Sequence, residues 1–136
     1  MRIIKIAVLV LSTLAFIPVT QAHHAFQGEF DVNRPVELRG EVVNIRWINP
    51  HSWLYMNVIN EDGTVTQWGV EMGTPNTLIR SGITRDSIPI GTVIVVKGYQ
   101  ARNRTPQANG QDVTLPDGSK LFLSNRGQAD PDADSR

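Results

Sequence analysis

From Pro35 to Phe122 apolar and polar residues alternate with a period of two in short runs, each closed by glycine, proline, asparagine or aspartate. Such a pattern confines the chain to short β-strands joined by turns. In the first run Val36, Leu38 and Val42 alternate with Glu37, Arg39 and Glu41, and the phase then slips by one residue at Val42-Val43 before resuming with Val43, Ile45 and Trp47. A slip of this kind beside Gly40 predicts a bulge that lets the strand bend strongly. The second run places Leu54, Met56 and Val58 on one side and Trp53, Tyr55 and Asn57 on the other. Glu61 to Thr64, with Asp62-Gly63 at its centre, has the positive-φ chemistry of a hairpin turn. The third run, Val65 to Met72, sets Trp68, Val70 and Met72 against Gln67, Gly69 and Glu71, so strands two and three are expected to pair antiparallel.

Thr74-Pro75 predicts a helix start, with Thr74 as N-cap and Pro75 at the first helical position, where its missing N–H costs nothing. Leu78 and Ile79 are its apolar residues, and Gly82 is placed to end it in a left-handed conformation. Thr92 to Tyr99 is the most β-prone segment and the expected central strand. Arg102 to Gly110 reads as a polar loop, and Asp112–Leu115 and Lys120–Leu123 flank Pro116 to Ser119 as a closing hairpin. Three strands, a short helix and further strands fit an all-β domain built as a small five-stranded OB-like Greek-key barrel. An SH3-like barrel or an open sandwich would give a similar string.

The first 22 residues read as a signal peptide: a cationic head containing Arg2 and Lys5, an apolar run from Ile6 to Ile17, and Pro18 to Ala22 ending in a small residue. The run is shorter than the roughly 20 residues a spanning helix needs, so cleavage and no stable membrane insertion are expected. The absence of cysteine excludes a lipidated terminus and a disulfide framework. The expected organisation is a leader over 1–22, an N-terminal segment over 23–34, the barrel over 35–124 and a disordered acidic tail over 125–136, in a periplasmic or secreted protein. Cleavage leaves 11 Lys and Arg against 13 Asp and Glu. That balance offers no footing for nucleic acid, whose binding needs an excess of cations.

Cleavage after Ala22 would make His23 the first residue, presenting a metal with both an imidazole and a free amine. With His24 and His51, the other two histidines of the chain, this constitutes a candidate copper(II) site, in the extreme a T-shaped histidine brace, because that ion favours tetragonal nitrogen ligation. The plainer alternative is that the terminal histidines bind nothing and His51, after Asn49-Pro50, supports a loop. No cofactor is otherwise implied. Trp53, Tyr55, Gln67 and Glu71 share the outward phase of strands two and three, where an OB barrel presents its ligand surface. The competing expectation is that the helix, the segment Phe26 to Phe30 or a partner subunit covers these rings.

No carboxylate pair has acid/base spacing, and there is neither a Ser-centred nucleophile elbow nor a phosphate-cradling glycine loop. The expectation is therefore a noncatalytic binding module for a small molecule, a metal ion or an envelope protein, with a copper redox activity as a remote alternative. The segments His23 to Phe26, Glu29 to Asp31, Pro35-Val36, Gly40 to Val42, Trp47 to Trp53, Gly73 to Asn76, Gly98-Tyr99 and Leu115 to Gly118 together resemble the bacterial domain-of-unknown-function family numbered 6152. The resemblance extends from His23 to about Leu123 and implies small, exported, single-domain proteins. It implies no activity or ligand, but both the His23-His24 start and the turn carrying His51 belong to the matching pattern.

Overall fold

In the computed structural model residues 28–124 are described; the expected leader, His23, His24 and the acidic tail lie outside them. The described chain is mostly β, with six strands in one sheet and one short helix. Strand β1 spans Phe30–Arg46, β2 Trp53–Ile59, β3 Val65–Glu71, β4 Val93–Ala101, β5 Gln107–Thr114 and β6 Lys120–Phe122, with helix α1 (Pro75–Arg80) between β3 and β4.

The long first strand begins at Phe30, earlier than the alternation starting near Pro35 suggests, because Phe30 pairs with Ala101 and is itself buried. Its N-terminal part pairs with β4 from Phe30 to Glu41, and its C-terminal part pairs with β2 from Gly40 to Arg46. The bulge falls where the phase slips: Val42 opposes Met56 and Asn44 opposes Tyr55, leaving Val43 unpaired with β2. One extra residue keeps Val42 inward and also turns Ile45 and Trp47 toward the core, so a single strand serves two partners on different parts of the sheet.

Strands β2 and β3 form the expected antiparallel hairpin, with Ile59 opposite Val65 and Trp53 opposite Glu71. At its tip Gly63 has φ +83, a conformation that only a residue without a Cβ adopts freely, and the Asp62 carboxylate accepts from the backbone and the hydroxyl of Thr64. The sheet order is β3-β2-β1-β4-β5-β6, and β3 also pairs with β5, in parallel, over Gly69–Glu71. Residues 107–110 thus belong to a strand and not to the polar loop that their composition suggests. Gln107 to Gly110 have little intrinsic β-preference; pairing with β3 on one side and β4 on the other overrides it.

Helix α1 is capped as the sequence predicts. The Thr74 hydroxyl accepts from the Thr77 backbone, Pro75 opens the helix, and Gly82 follows it at φ +83. Of its two apolar residues only Leu78 is buried; Ile79 points outward, since adjacent helical positions lie about 100° apart. The core joins Leu38, Val42, Leu54, Met56, Val70, Met72, Ile94, Val96, Val113 and Leu123 from the strands with Leu78, Ile83 and Ile88 from the α1 region. Each fully buried aliphatic side chain here contributes about 1.5–3 kcal/mol of transfer free energy. Trp47 and Trp68 pack against its margin.

Candidate functional site

Because residues alternate across a strand, burial of Leu54 and Met56 forces Trp53 and Tyr55 onto the opposite face of β2. In the neighbouring strand, Gln67, Gly69 and Glu71 share that face, with Gln67 opposite Asn57, Gly69 opposite Tyr55 and Glu71 opposite Trp53. Trp53 and Tyr55 are half-buried and Gln67 is exposed. A Cβ on Gly69 would lie 3.5 Å from Tyr55 Cε1 and 3.6 Å from Trp53 Cε3. Both rings therefore flank the glycine, at ordinary van der Waals distance from where a Cβ would stand. The four residues that the alternation predicts for one face do share it.

Glu71 is the buried end of this face. It ends β3 at the register position where that strand has neighbours on both sides, Trp53 of β2 and Asn109 of β5. Flanked this way its side chain is only 8% exposed. A carboxylate withdrawn from water needs compensating hydrogen bonds or charge, and both of its oxygens have partners. Oε1 is in contact with His51 Nδ1, and Oε2 accepts from Asn109 Nδ2 at 3.4 Å. Asn109 Oδ1 in turn accepts from Gln111 Nε2 at 2.6 Å. Gln111 is the extra residue of a second bulge, since Gly98 opposes Gly110 and Lys97 opposes Asp112. A polar chain thus runs His51, Glu71, Asn109, Gln111 across three parts of the sheet.

His51 is held from below by its neighbours. Ser52 donates its N–H to Gly73 O at 3.0 Å and accepts from Met72 N at 2.8 Å, extending the β2–β3 ladder by one step past Trp53 and Glu71. The imidazole stands two residues before Trp53, on the same face, and is 40% exposed. A carboxylate oxygen is an acceptor, so the ring nitrogen facing it carries hydrogen, and Nε2 is the ring nitrogen left for another partner.

Of the sequence-predicted site residues, Trp53, Tyr55, Gln67, Glu71 and His51 come together on one face, whereas His23 and His24 lie outside the described residues. Among the described residues no group of three or more histidine, cysteine, aspartate or glutamate side chains is assembled that could hold a metal ion. No helix among them is long and apolar enough to cross a membrane. Asn109 and Gln111 escape sequence reasoning because only the parallel β3–β5 contact brings them to Glu71.

A family model described as "Family of unknown function (DUF6152)" matches residues 10–110. The chain belongs to this family. The match to DUF6152 ends inside β5 and reaches upstream into the expected leader, while the resemblance seen in the residues themselves extends to about Leu123. Both histidine-bearing segments of the chain fall within the span matched to DUF6152. No curated protein and no solved structure matches the chain significantly.

Proposed function

We propose that this member of DUF6152 is an exported, noncatalytic binding module, built as an OB-like barrel, with its ligand surface over β2 and β3. The observation that carries the reading is the shared outward face of Trp53, Tyr55, Gln67 and Glu71, with His51 at its end. The barrel reading rests on the pairings, which run β1-β2-β3-β5-β4 and back to β1 with the helix between β3 and β4, and on the bulge that bends β1. Export to the periplasm or beyond rests on the character of residues 1–22. A mixture of small polar and aromatic fragments, followed by ¹H–¹⁵N correlation spectra, tests the surface. Shifts clustered at Trp53, Tyr55, Gln67 and Glu71 are expected; shifts confined to the groove where Arg85 lies 5.5 Å over the Trp47 ring would move the ligand surface elsewhere.

A second reading is copper(II) binding by the His23 amine and ring together with His24 and His51. It is favoured by one specific feature: the Glu71 contact engages Nδ1 of an imidazole that is 40% exposed, so Nε2 is the ring nitrogen left for a further partner. Copper(II) titration by calorimetry compares protein beginning at His23 with protein carrying one additional N-terminal residue. Tight binding only by the former supports the site, and equal weak binding by both overturns it. A copper redox activity is tested on the same material by hydrogen peroxide production with a reductant.

A further inference from the structure

Three features stand outside the surface just described: the groove beside Trp47 and Arg85, the polar chain behind His51, and a hollow of about 400 Å³ between β1, β4 and β5. The hollow carries the furthest consequence. We propose that it is a second binding site, for a neutral sugar: a pyranose ring set against Pro35 and Tyr99, with its hydroxyls meeting Glu37, Lys97, Gln111 and Asp112. This site is separate from the ligand surface over β2 and β3.

One row of residues crosses the hollow. Glu37 of β1 stands opposite Lys97 of β4, and Lys97 stands opposite Asp112 of β5, so the charges alternate from strand to strand. The lysine is engaged on one side, its Nζ lying 3.3 Å from Glu37 Oε2. Asp112 is left without that partner, and its Oδ1 is shut off from solvent with no hydrogen bond from any described residue. An acceptor withdrawn from water and left unpaired costs stability, and such departures concentrate at functional positions. Beside it the β4–β5 ladder carries a bulge: Gly98 opposes Gly110 and Lys97 opposes Asp112, so Gln111 is the extra residue, and it lines the same hollow. Bulges next to binding sites re-aim side chains. Gln111 gives an amide N–H to Asn109 at 2.6 Å, which holds the side chain and keeps its carbonyl oxygen as an acceptor.

The donor set decides the ligand class. A carboxylate accepts only, an ammonium donates only, and an amide does both. An anion would meet two carboxylates, and a cation would meet the Lys97 ammonium between them. A neutral ligand whose groups each donate and accept suits the alternation, and the hydroxyl is that group. Several hydroxyls on one rigid ring match several partners at once and leave an apolar C–H face for Pro35 and the Tyr99 ring, both of which line the hollow. Its volume falls within the range of about 300–1,000 Å³ usual for small-molecule sites.

Separate ¹H–¹⁵N correlation titrations test the site with methyl glycosides of glucose, galactose and mannose, the acyclic polyol sorbitol, uracil as a flat neutral ligand, and putrescine and succinate as charged ones. At least one glycoside is expected to shift Lys97, Tyr99, Gln111 and Asp112 saturably, with the other classes at least tenfold weaker. Asp112→Asn and Tyr99→Leu, each verified as folded by its own spectrum, are expected to bind that glycoside at least tenfold more weakly, about the loss that follows removal of one hydrogen bond to a charged group. No shift at these residues with any glycoside up to ~100 mM, where even millimolar affinity saturates, overturns the proposal. So does an equal response to sorbitol or uracil, which would remove the role of the rigid hydroxylated ring, and so does a stronger response to putrescine or succinate. Asp112→Asn binding within about twofold of wild type overturns it as well, because the unpaired carboxylate would then take no part. Should either variant not fold, the wild-type titration still decides: glycoside shifts centred on Trp53 and Tyr55 would assign the sugar to the β2–β3 face and take it from the hollow.

Discussion

Substituting alanine at Gly98 tests whether the close β4–β5 approach holds both fold and site. A Cβ at this position would lie 2.1 Å from Asn109 O, 3.0 Å from Asn109 C and 3.2 Å from Gly110 Cα. Ordinary contact begins near 3.4 Å, so the two strands must separate locally by about 1.3 Å. All three obstructing atoms are backbone, and no rotamer change relieves them. Overpacking a close-packed interior costs about 1–3 kcal/mol, and parting the ladder forfeits a hydrogen bond of about 1 kcal/mol; the expected total is about 2–4 kcal/mol. At about 4–8 °C per kcal/mol for a domain of this size, the midpoint of thermal unfolding followed by circular dichroism should fall by at least ~8 °C. The control is Gly28→Ala, where a Cβ meets nothing within 4 Å and the midpoint should barely move. The same displacement would withdraw Asn109 from Glu71, whose 3.4 Å contact has little room to lengthen. A G98A midpoint within ~4 °C of wild type would refute the steric reasoning, because it would mean the strands part at almost no cost.

Thr74→Ala removes the side chain that accepts from Thr77 N at 3.1 Å, and should cost about 1 kcal/mol in urea unfolding with an unchanged slope; an effect below ~0.3 kcal/mol would show that tertiary packing of Leu78 alone holds the helix. The Asp62 carboxyl is held below the ordinary carboxylate range, first by the Thr64 hydroxyl and then by the Thr64 backbone N–H. A group with a depressed folded pKa contributes stability that is complete above its unfolded value, near ~3.9, and is lost as pH falls through the lower folded value. The Thr64 amide resonance should accordingly titrate with a midpoint below that of an unstructured aspartate, and a midpoint at or above it would remove the turn's acid sensitivity.

Period-two patterning was a reliable guide wherever one face of a strand is buried. It located the β1 bulge at Val42-Val43, the inward set Leu54 and Met56, and the outward set Trp53 and Tyr55, because a slip by one residue would expose the whole apolar face. The capping chemistry of Thr74 and Pro75 was equally legible, since it acts within a few residues. The start of β5 was not. Gln107, Asn109 and Gln111 are polar, and they are held in a strand by partners distant in sequence, Asn109 lying 38 residues from Glu71. Local preference has no access to that contact. The onset of β1 at Phe30 was hidden for the same reason, its partner being Ala101.

The site was therefore legible in fragments and illegible as a unit. His51 and Glu71 could each be recognised as chemically capable, but their pairing requires β2 and β3 to be in register and the ladder to continue through Ser52 to Gly73. The burial of Glu71 requires more, namely a third strand alongside, and β5 reaches β3 only over Gly69–Glu71. Had that contact stopped one residue earlier, the carboxylate would have had open solvent on one side and no amide to meet Oε2. Its hold on the imidazole would then have been that of an exposed pair, worth little and screened by salt. The orientation of His51 is thus a consequence of topology: the strand that makes Glu71 a buried group is also the strand that supplies its second partner.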